Sequence, residues 1–395
     1  MEQQHLTKDD TKQVVDIKKR ELDTVEVISN FEAFVELASE WNSLLDKSSA
    51  NCLFLTHEWL SNWWLSYHAK RQESSLAIIT VREAGVLVGA APIMLNTVKE
   101  FCLKVTKASF IGDPTWTTGD FIVAKNTPSA LNKLAERLLK LKWTVMELGC
   151  IPEASASLSV ITEILGSRRM RSSSAPSASS PYLRVESDWE SFYAARSTRF
   201  KKALRNKQNK IKKAGEYEVH QYRTEEELTR VLPSVMELAK KGWKHQIENS
   251  IASDNGNSSF YTAMATRVNR DDFVNIWILS LQSTPIAYEY HFSYNNITYG
   301  ITADYDTEHK NLSPGSILDF NIVKSKFDES GATYDLGCGD SFYKKNWTKE
   351  TNRYFNITAY SNSLYGAIVG LIATKIYPAA KRLYRKEAET IDSGK

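Results

Sequence analysis

Apolar residues alternate with polar ones along some segments of this chain and recur every three or four residues along others, which predicts strands interspersed with helices. In the first half the alternation marks strands at 25–28, 76–81, 86–95, 121–123 and 145–148. Helical spacing covers 34–45 and 129–141, and Ser29 with Glu32 has the spacing of a capping box. Another helix carries an aromatic stripe, for which core packing is favoured over lining a ligand cleft: Trp59, Trp63, Trp64 and Tyr67.

The same order of elements returns in the second half of the chain. A strand at 217–222 precedes a helix whose start, Thr224 with Glu227, again matches a capping box. A helix at 259–267, strands at 273–282, 286–294 and 298–304, a helix after Gly315 and a strand at 334–336 follow. Both halves contain an acidic residue followed by Leu-Gly-Cys, at 147–150 and at 335–338. Repetition on this scale predicts duplicated domains.

The run SSSAPSASSP, residues 172–181, has low complexity and predicts a linker between the two domains. The predicted organisation is a disordered N-terminus over 1–22, a first domain over 23–171, a second over 182–363, and a C-terminal helix and tail over 364–395. The predicted fold class is α/β (α+β), with tandem domains that each have a mixed, mostly antiparallel sheet flanked by helices.

Composition narrows the class of protein. The 395 residues are 42% hydrophobic and 25% charged, which is typical of a soluble globular protein. A net charge of +3 argues against a nucleic-acid binder, and only local basic patches are informative. The four cysteines lack the spacing of a metal site, so we expect no metal and a reducing compartment.

The ends of the sequence bear on localisation. The first residues are polar and lack the apolar core of a secretory signal. The longest uncharged apolar stretch, 364–374, is shorter than a membrane span. We therefore expect a cytoplasmic protein without a transmembrane segment. For the basic run at 379–386, a solvated helix face is favoured over peripheral contact with an anionic membrane.

The segment Leu312-Ser313-Pro314-Gly315-Ser316 lies between strand-like alternation and an apolar helix. A helix start of this kind offers backbone N–H groups to a phosphate without a dedicated charged side chain. An ordinary turn is the alternative. We take Leu312, Ser313, Gly315 and Ser316 as candidate cofactor-binding residues.

Strand 286–294 carries candidate acid–base residues. Side chains alternate between the two faces of a strand, so Glu289 and His291 share one face while Tyr288 and Tyr290 share the other. A carboxylate beside an imidazole can take a proton from an amine or hydroxyl. The alternative is a polar surface of the sheet that faces solvent. Asp304, near the end of the next strand, is a third candidate.

The segment GCGDSFYKKNW follows the strand at 334–336, where α/β sheets commonly build sites. Lys344 could neutralise a phosphate, and Asp340 and Tyr343 are candidates for proton transfer. A turn with two surface lysines is the alternative. The cations between Arg196 and Lys213 crowd one predicted helix, which suits an anionic cofactor, a carrier protein or RNA, or is simply solvated.

Several short motifs follow one another along the chain: Pro181-Tyr182-Leu183, Trp189, the basic helix, Gly242-Trp243-Lys244, Pro285-Ile286-Ala287, Tyr305-Asp306, Ser313-Pro314-Gly315 and GCGDSFYKKNW. Their order resembles the acetyltransferase-like proteins of bacterial cellulose and exopolysaccharide gene clusters, which belong to the GNAT (N-acetyltransferase) superfamily. It is also similar to the FemAB-type peptidoglycan aminoacyltransferases, in which two GNAT folds stand in tandem.

The resemblance implies two GNAT-like domains, the first without a donor site and the second binding acyl-CoA, most simply acetyl-CoA, with its pyrophosphate before the helix near Gly315. It implies an acyltransferase that acts on an amine or hydroxyl acceptor such as a glycan precursor, with Trp243 and Lys244 as acceptor-binding residues. A polysaccharide synthase is an implied partner. One alternative is a transferase that uses aminoacyl-tRNA held by the basic helix. Another is a non-catalytic scaffold that binds polysaccharide through Trp59, Trp63 and Trp64.

Overall fold

The computed structural model describes residues 23–268, 272–329, 331–339, 341–379 and 381–382. Three predictions lie outside these residues: the disordered N-terminus at 1–22, the role of Asp340, and the tail after residue 382. The chain forms two compact units. Of the described residues, unit 1 contains those up to Asn51, Arg71–Ser177 and those from Phe355 onward, and unit 2 contains those of Cys52–Lys70 and Ala178–Tyr354.

In chain order the helices are α1 (Phe31–Glu36), α2 (Ala38–Asp46), α3 (His57–Tyr67), α4 (Ser129–Leu139), α5 (Ala156–Ser167), α6 (Trp189–Ala194), α7 (Thr198–Ala214), α8 (Glu225–Lys240), α9 (Trp243–Gln246), α10 (Asn257–Arg267), α11 (Pro314–Lys326) and α12 (Leu364–Leu371). The strands are β1 (Thr24–Ile28), β2 (Ser74–Leu76), β3 (Ile78–Glu83), β4 (Val86–Ala91), β5 (Ile93–Glu100), β6 (Leu103–Phe110), β7 (Ile122–Val123), β8 (Val145–Pro152), β9 (Ser172–Arg184), β10 (Tyr217–Tyr222), β11 (Val274–Leu281), β12 (Thr284–Tyr294), β13 (Ile297–Tyr305), β14 (Thr333–Asp335) and β15 (Thr351–Tyr360).

Local sequence signals decide where several helices begin. Thr224 and Glu227 form the predicted capping box at the start of α8, where each side chain binds the other residue's backbone N–H. The capping box predicted at Ser29 is wrong. Asn30 caps α1 instead, because its side-chain oxygen already accepts the Ala33 N–H at 2.7 Å.

The predicted linker at 172–181 is also wrong, because these residues belong to β9. Strand β9 lies between β14 and β15 in a sheet. The Tyr360 N–H donates to the Arg171 carbonyl at 2.9 Å, and the Tyr182 N–H donates to the Glu350 carbonyl at 3.1 Å. Backbone pairing holds this segment in place although its side chains are small and polar. The predicted domain boundary still falls close to the division between the units at Ser177 and Ala178.

Unit 1 has one antiparallel sheet in the order β1-β3-β4-β7 and a second set of strands in the order β8-β6-β5-β2. Strands β6 and β8 are parallel, whereas the pairs β1–β3, β3–β4, β4–β7, β2–β5 and β5–β6 are antiparallel. Helices α4 and α5 cover the core, where Leu134, Leu138 and Ile161 are buried with Ile79 and Val81. The apolar stripe of each helix therefore packs on the alternating apolar face of the sheet.

Unit 2 has the strand order β10-β11-β12-β13-β14-β9, antiparallel except for the parallel pair β13–β14. Helices α7 and α11 bury Leu204, Ile211 and Ile317 on one face. On the other face Trp59 of α3 contacts Phe260 and Phe292, with ring centroids 5.1 and 5.2 Å apart. The aromatic stripe packs in the core, as predicted from the sequence. The polysaccharide scaffold based on these buried tryptophans is wrong, because a sugar cannot reach them.

The predicted fold class is confirmed, since each unit has a mixed, mostly antiparallel sheet flanked by helices. The parallel pair β6–β8 of unit 1 corresponds in order to the parallel pair β13–β14 of unit 2, and the shared Leu-Gly-Cys lies at the second strand of each pair. Within the described part of the chain, none of the helices is long and apolar enough to cross a membrane.

Candidate active site

A cavity of about 560 Å³ lies in unit 2 where β13 and β14 separate. The two strands pair only from Ile297 with Thr333 to Tyr299 with Asp335. Strand β13 continues to Tyr305, whereas β14 ends at Asp335. The strands therefore diverge, and beyond this point the backbone groups of β13 that face β14 are not hydrogen-bonded to it. The start of α11 and the loop after β14 close the cavity.

Most of the predicted site residues meet here. Nine of them line the cavity: Trp243, Lys244, Glu289, Asp304, Ser313, Gly315, Ser316, Tyr343 and Lys344. His291 and Leu312 do not line it. His291 lies behind Glu289, and Leu312 ends the short 3₁₀ turn Thr307–Leu312 that leads into α11.

Glu289 and His291 form a hydrogen-bonded pair, with 2.9 Å between Glu289 Oε2 and His291 Nε2. They share a face of β12 as predicted, but the interpretation as a solvent-facing surface is wrong because both side chains are buried. Burial raises the pKa of Glu289 to about 8, against the opposing effect of Lys244 and Lys344. Burial lowers the pKa of His291 to about 3, so the imidazole is neutral. The pair therefore contains a carboxyl group whose pKa lies close to neutral pH.

Asp304 lies on the opposite face of the sheet from Glu289, because it is directly opposite Tyr288 in the β12–β13 ladder. Its Oδ2 accepts the Lys244 N–H at 3.3 Å and its Oδ1 accepts the Tyr305 N–H at 2.9 Å. A Cβ atom on Gly242 would lie 2.0 Å from Asp304 Oδ2, so only glycine fits there. Asp304 fastens the start of α9 to β13 as well as lining the cavity.

Asp319 of α11 is a cavity residue that the sequence analysis missed. The Trp347 indole N–H donates to its Oδ2 at 2.6 Å. Burial and the nearby Glu289 raise the pKa of Asp319. One signal was present in the sequence: an acidic residue in a helix that is apolar around most of its circumference, next to Leu318 and close to Ile322.

The start of α11 has the features expected of an anion site. Ser313 has the left-handed conformation with φ 55°, and its carbonyl accepts the N–H groups of Ser316 and Ile317 at 3.0 and 3.3 Å. The Gly315 N–H has no acceptor among the residues that the structure describes. Lys207 of α7 also reaches this helix start, where its ammonium group donates to Ser316 Oγ at 2.8 Å.

Lys344 and Tyr343 occupy the loop that follows β14. The Lys344 ammonium group is buried and donates to the Gly337 and Cys338 carbonyls at 2.8 and 2.9 Å. Two of its three N–H bonds therefore fix this loop. Tyr343 is half exposed, and burial of its hydroxyl raises the pKa of the side chain, which stays protonated.

Helix α7 joins the site to a basic surface. Leu204 and Ile211 bury one side of the helix. Its exposed side carries cations that make no ion pair within the described residues: Arg199, Lys202, Arg205, Lys210, Lys212 and Lys213. Because Lys207 points to the start of α11, the basic surface and the cavity share one helix.

In unit 1 the Leu-Gly-Cys segment at 148–150 is packed against another loop of the same unit. A Cβ atom on Gly149 would lie 2.5 Å from the Pro114 carbonyl oxygen. The Cys150 thiol contacts the same oxygen at 3.4 Å, and the Gly119 N–H donates to the Cys150 carbonyl at 3.2 Å. The loop around Pro114 therefore packs directly against Gly149, whereas Gly337 lines the cavity of unit 2. The absence of a donor site from the first domain stays a prediction.

Comparison with known proteins gives one family match. Residues 198–345 match the family described as an acetyltransferase (GNAT) domain. The matched residues include α7, α11 and the residues that line the cavity. None of the curated proteins compared with the chain matches it. The GNAT resemblance is thereby confirmed for the second domain.

Several solved structures have a similar fold. FemX is 12% identical, with a TM-score of 0.53, and the match covers 85% of this chain and 98% of FemX. The C-terminal domain of a putative lysylphosphatidylglycerol synthetase from Agrobacterium fabrum is 9% identical, with a TM-score of 0.53 over 87% of this chain and 96% of that one. L-PGS from Bacillus licheniformis is 9% identical, with a TM-score of 0.50 over 86% and 95%. These matches take in both units and establish a shared fold.

Proposed function

We propose that the chain is an acyltransferase that moves an acyl group, most simply acetyl, from acyl-CoA to an amine or hydroxyl of a glycan precursor for the cell envelope or an exopolysaccharide. The observation that carries the proposal is the arrangement around one cavity. A buried Glu289 with a pKa of about 8 lines the same gap as an unbonded N–H group at the start of α11. The GNAT family match over 198–345 supports this class of reaction.

The start of α11 suits the pyrophosphate of acyl-CoA. Gly315 offers its backbone N–H, and Lys207 brings a positive charge to the adjacent Ser316 hydroxyl. Lys310 also lines the cavity. Together these groups supply a hydrogen-bond donor, positive charge and the favourable end of a helix dipole. The gap between β13 and β14 gives room for the chain that connects the pyrophosphate to the acyl group.

The backbone of β13 supplies a donor for developing negative charge. The Asp306 N–H donates to the Ile286 carbonyl at 2.9 Å. Bonding directions alternate along an antiparallel pair, so the N–H of Ala303 points away from β12 and into the gap. Ala303 lies directly opposite Glu289 and lines the cavity. Its N–H can bind the carbonyl oxygen on which negative charge develops during acyl transfer.

The side chains can then move the protons. A bound acyl thioester would supply an activated carbonyl carbon. Glu289 accepts a proton from the acceptor as the acceptor's nitrogen or oxygen bonds to that carbon. Tyr343 gives its hydroxyl proton to the sulfur that leaves when the carbon–sulfur bond breaks. His291 holds Glu289 in place through their hydrogen bond, and Trp243, which is 47% exposed, is available to contact the acceptor.

Acetyl-CoA binding measured by calorimetry tests the donor site. Gly315→Asp should weaken binding at least about tenfold, because the carboxylate repels a phosphate. The variant should fold, since a Cβ at this position meets nothing closer than Tyr305 Cδ1 at 3.8 Å and an acid favours the first turn of a helix. Gly166→Asp is the matched control, because position 166 has no neighbouring atom within 4 Å. Equal binding by both variants would overturn the proposed donor site.

A second candidate donor is aminoacyl-tRNA, which the unpaired cations of α7 and the FemX-like fold favour. Filter binding should then retain tRNA at about 50 mM salt and lose it steeply by about 500 mM. Lys202→Glu with Arg205→Glu should abolish retention, whereas Lys125→Glu with Lys142→Glu, an equal charge change in unit 1, should not. Absence of retention at low salt would exclude this donor. Retention without acetyl-CoA binding would favour it over acyl-CoA.

A further inference from the structure

Helix α12 of unit 1 exposes an apolar face. Leu364, Ile368 and Leu371 lie at i, i+4 and i+7, and their exposed fractions are 80%, 44% and 45%. The opposite side of the helix, which contains Gly366, Val369 and Gly370, is buried. The exposed residues therefore form a stripe along one side of a helix that is already packed into the unit by its other side.

A hairpin tip extends this apolar face. Phe101, at the turn between β5 and β6, is 37% exposed and contacts Tyr377 with ring centroids 5.1 Å apart. The Tyr365 hydroxyl donates to the Lys104 carbonyl at 2.9 Å, which ties α12 to the same hairpin. We call this surface the C-terminal patch. Its exposed apolar members are Phe101, Leu364, Tyr365, Ile368, Leu371, Ile376 and Tyr377.

Cations predominate around the C-terminal patch. The sequence from 351 to 386 contains no Asp or Glu, and the part from 363 to 386 contains five Lys or Arg. Exposed cations of the described residues flank the patch on the hairpin and along the helix: Lys99, Lys104, Lys375, Lys381 and Arg382. The one acid of the hairpin tip, Glu100, shares Lys107 with Glu147, at 2.5 and 2.9 Å. A partner for this surface must therefore be apolar at its centre and anionic at its rim.

We infer that the C-terminal patch docks the protein on the surface of a bilayer that contains anionic lipids. Apolar residues on one helix face, aromatic residues and flanking cations are the features of helices that lie in the membrane interface. A second copy of the chain suits the surface poorly, because a symmetric contact would bring the cations of the two copies together. The inference concerns unit 1 and does not depend on the proposed acyl transfer.

Co-sedimentation with vesicles tests the inference. The chain should pellet with phosphatidylcholine vesicles that contain ~30% phosphatidylglycerol and remain in solution with phosphatidylcholine alone, because the cations need an anionic surface. Ile368→Glu with Leu371→Glu should lower the bound fraction at least about tenfold. The matched control is Val35→Glu with Val86→Glu in the same unit, where the exposed fractions are 46% and 60%. This control should bind like the unmodified chain.

Cys102 provides an independent reporter, because it is exposed at the hairpin tip beside Phe101. An environment-sensitive dye on this thiol should shift its emission to the blue when the anionic vesicles are added. The same dye on Cys102→Ser with Val86→Cys should not shift. The inference is overturned if the unmodified chain fails to pellet at low salt, or if both dyes respond alike. It is also overturned if sedimentation velocity shows a dimer that Ile368→Glu with Leu371→Glu disrupts in the absence of lipid binding.

Discussion

Replacing Glu289 by Gln should change activity and stability in opposite directions. If Glu289 is the base, its removal should lower kcat/KM by roughly 10²–10⁴-fold, the usual contribution of a positioned base. With a pKa of about 8, roughly a tenth of the carboxyl groups are ionised at pH 7, so kcat/KM of the unmodified chain should rise about tenfold per pH unit before levelling off.

The stability change follows from the same pKa. The ordinary value for this group is 4.5, and burial in the folded chain raises it to about 8. Between these values the folded state binds more protons than the unfolded state, so the free energy of unfolding falls as pH rises. Each pH unit in this window costs about 1.4 kcal/mol, which amounts to as much as about 3 kcal/mol at pH 7. Glu289→Gln carries no charge and should escape this loss.

Two assays check this pair of effects. Release of free thiol from acetyl-CoA, in the presence of amine acceptors, gives kcat/KM between pH 6 and pH 9 by design. Urea unfolding gives the stability of both proteins at about pH 4.5, where the advantage of Glu289→Gln should be small, and at about pH 8, where it should be large. If Glu289 only maintained the fold, Glu289→Gln would lower both the activity and the stability of the protein.

Asp319→Asn is the matched control, because Asp319 is also a buried carboxyl group on the cavity with a raised pKa. The rise of kcat/KM with pH should persist in this variant. If the rise disappears with Asp319→Asn and persists with Glu289→Gln, Asp319 is the base and Glu289 is not. An equal stability difference between Glu289→Gln and the unmodified chain at both ends of the pH window would also refute the reasoning.

Two further predictions concern the surroundings of the pair. Lys244→Met should raise the pKa of Glu289, because the Lys244 ammonium group stabilises the Glu289 carboxylate, and the rise in kcat/KM should therefore move to higher pH. The control Lys240→Met, at the exposed end of α8, should leave the midpoint of that rise unchanged. Gly242→Ala should lower the free energy of unfolding by about 1–3 kcal/mol in urea, because its Cβ would lie 2.0 Å from Asp304 Oδ2 and displace that carboxylate. A fully stable Gly242→Ala variant would contradict the packing described for α9.

The parts of the site that depend on local pattern could be predicted from the sequence. The period-two alternation of β12 placed Glu289 and His291 side by side, because strand geometry alone sets this spacing. The Ser-Pro-Gly sequence marked the start of α11, since proline favours the first turn of a helix. The duplicated order of strands and helices likewise follows from local periodicity.

The remaining parts depend on tertiary packing, which a local pattern does not contain. Lys207 is more than a hundred residues from Ser316 in the sequence, and only the docking of α7 on α11 brings them together. Asp319 becomes a site residue because β13 and β14 separate beside α11. Residues 172–181 looked like a linker because their side chains are small and polar, whereas backbone hydrogen bonding makes them a strand.

The separation of β13 from β14 gives the cavity access to both sides of one sheet. Glu289 lies on the side that faces α11 and its Asp319, and Asp304 lies with Tyr288 on the reverse side. Two reactants can therefore approach the middle of such a slot from different directions. Under the proposed function, the acyl donor and the acceptor would both be bound at the same time. The reaction would then pass through a ternary complex without an acylated form of the protein.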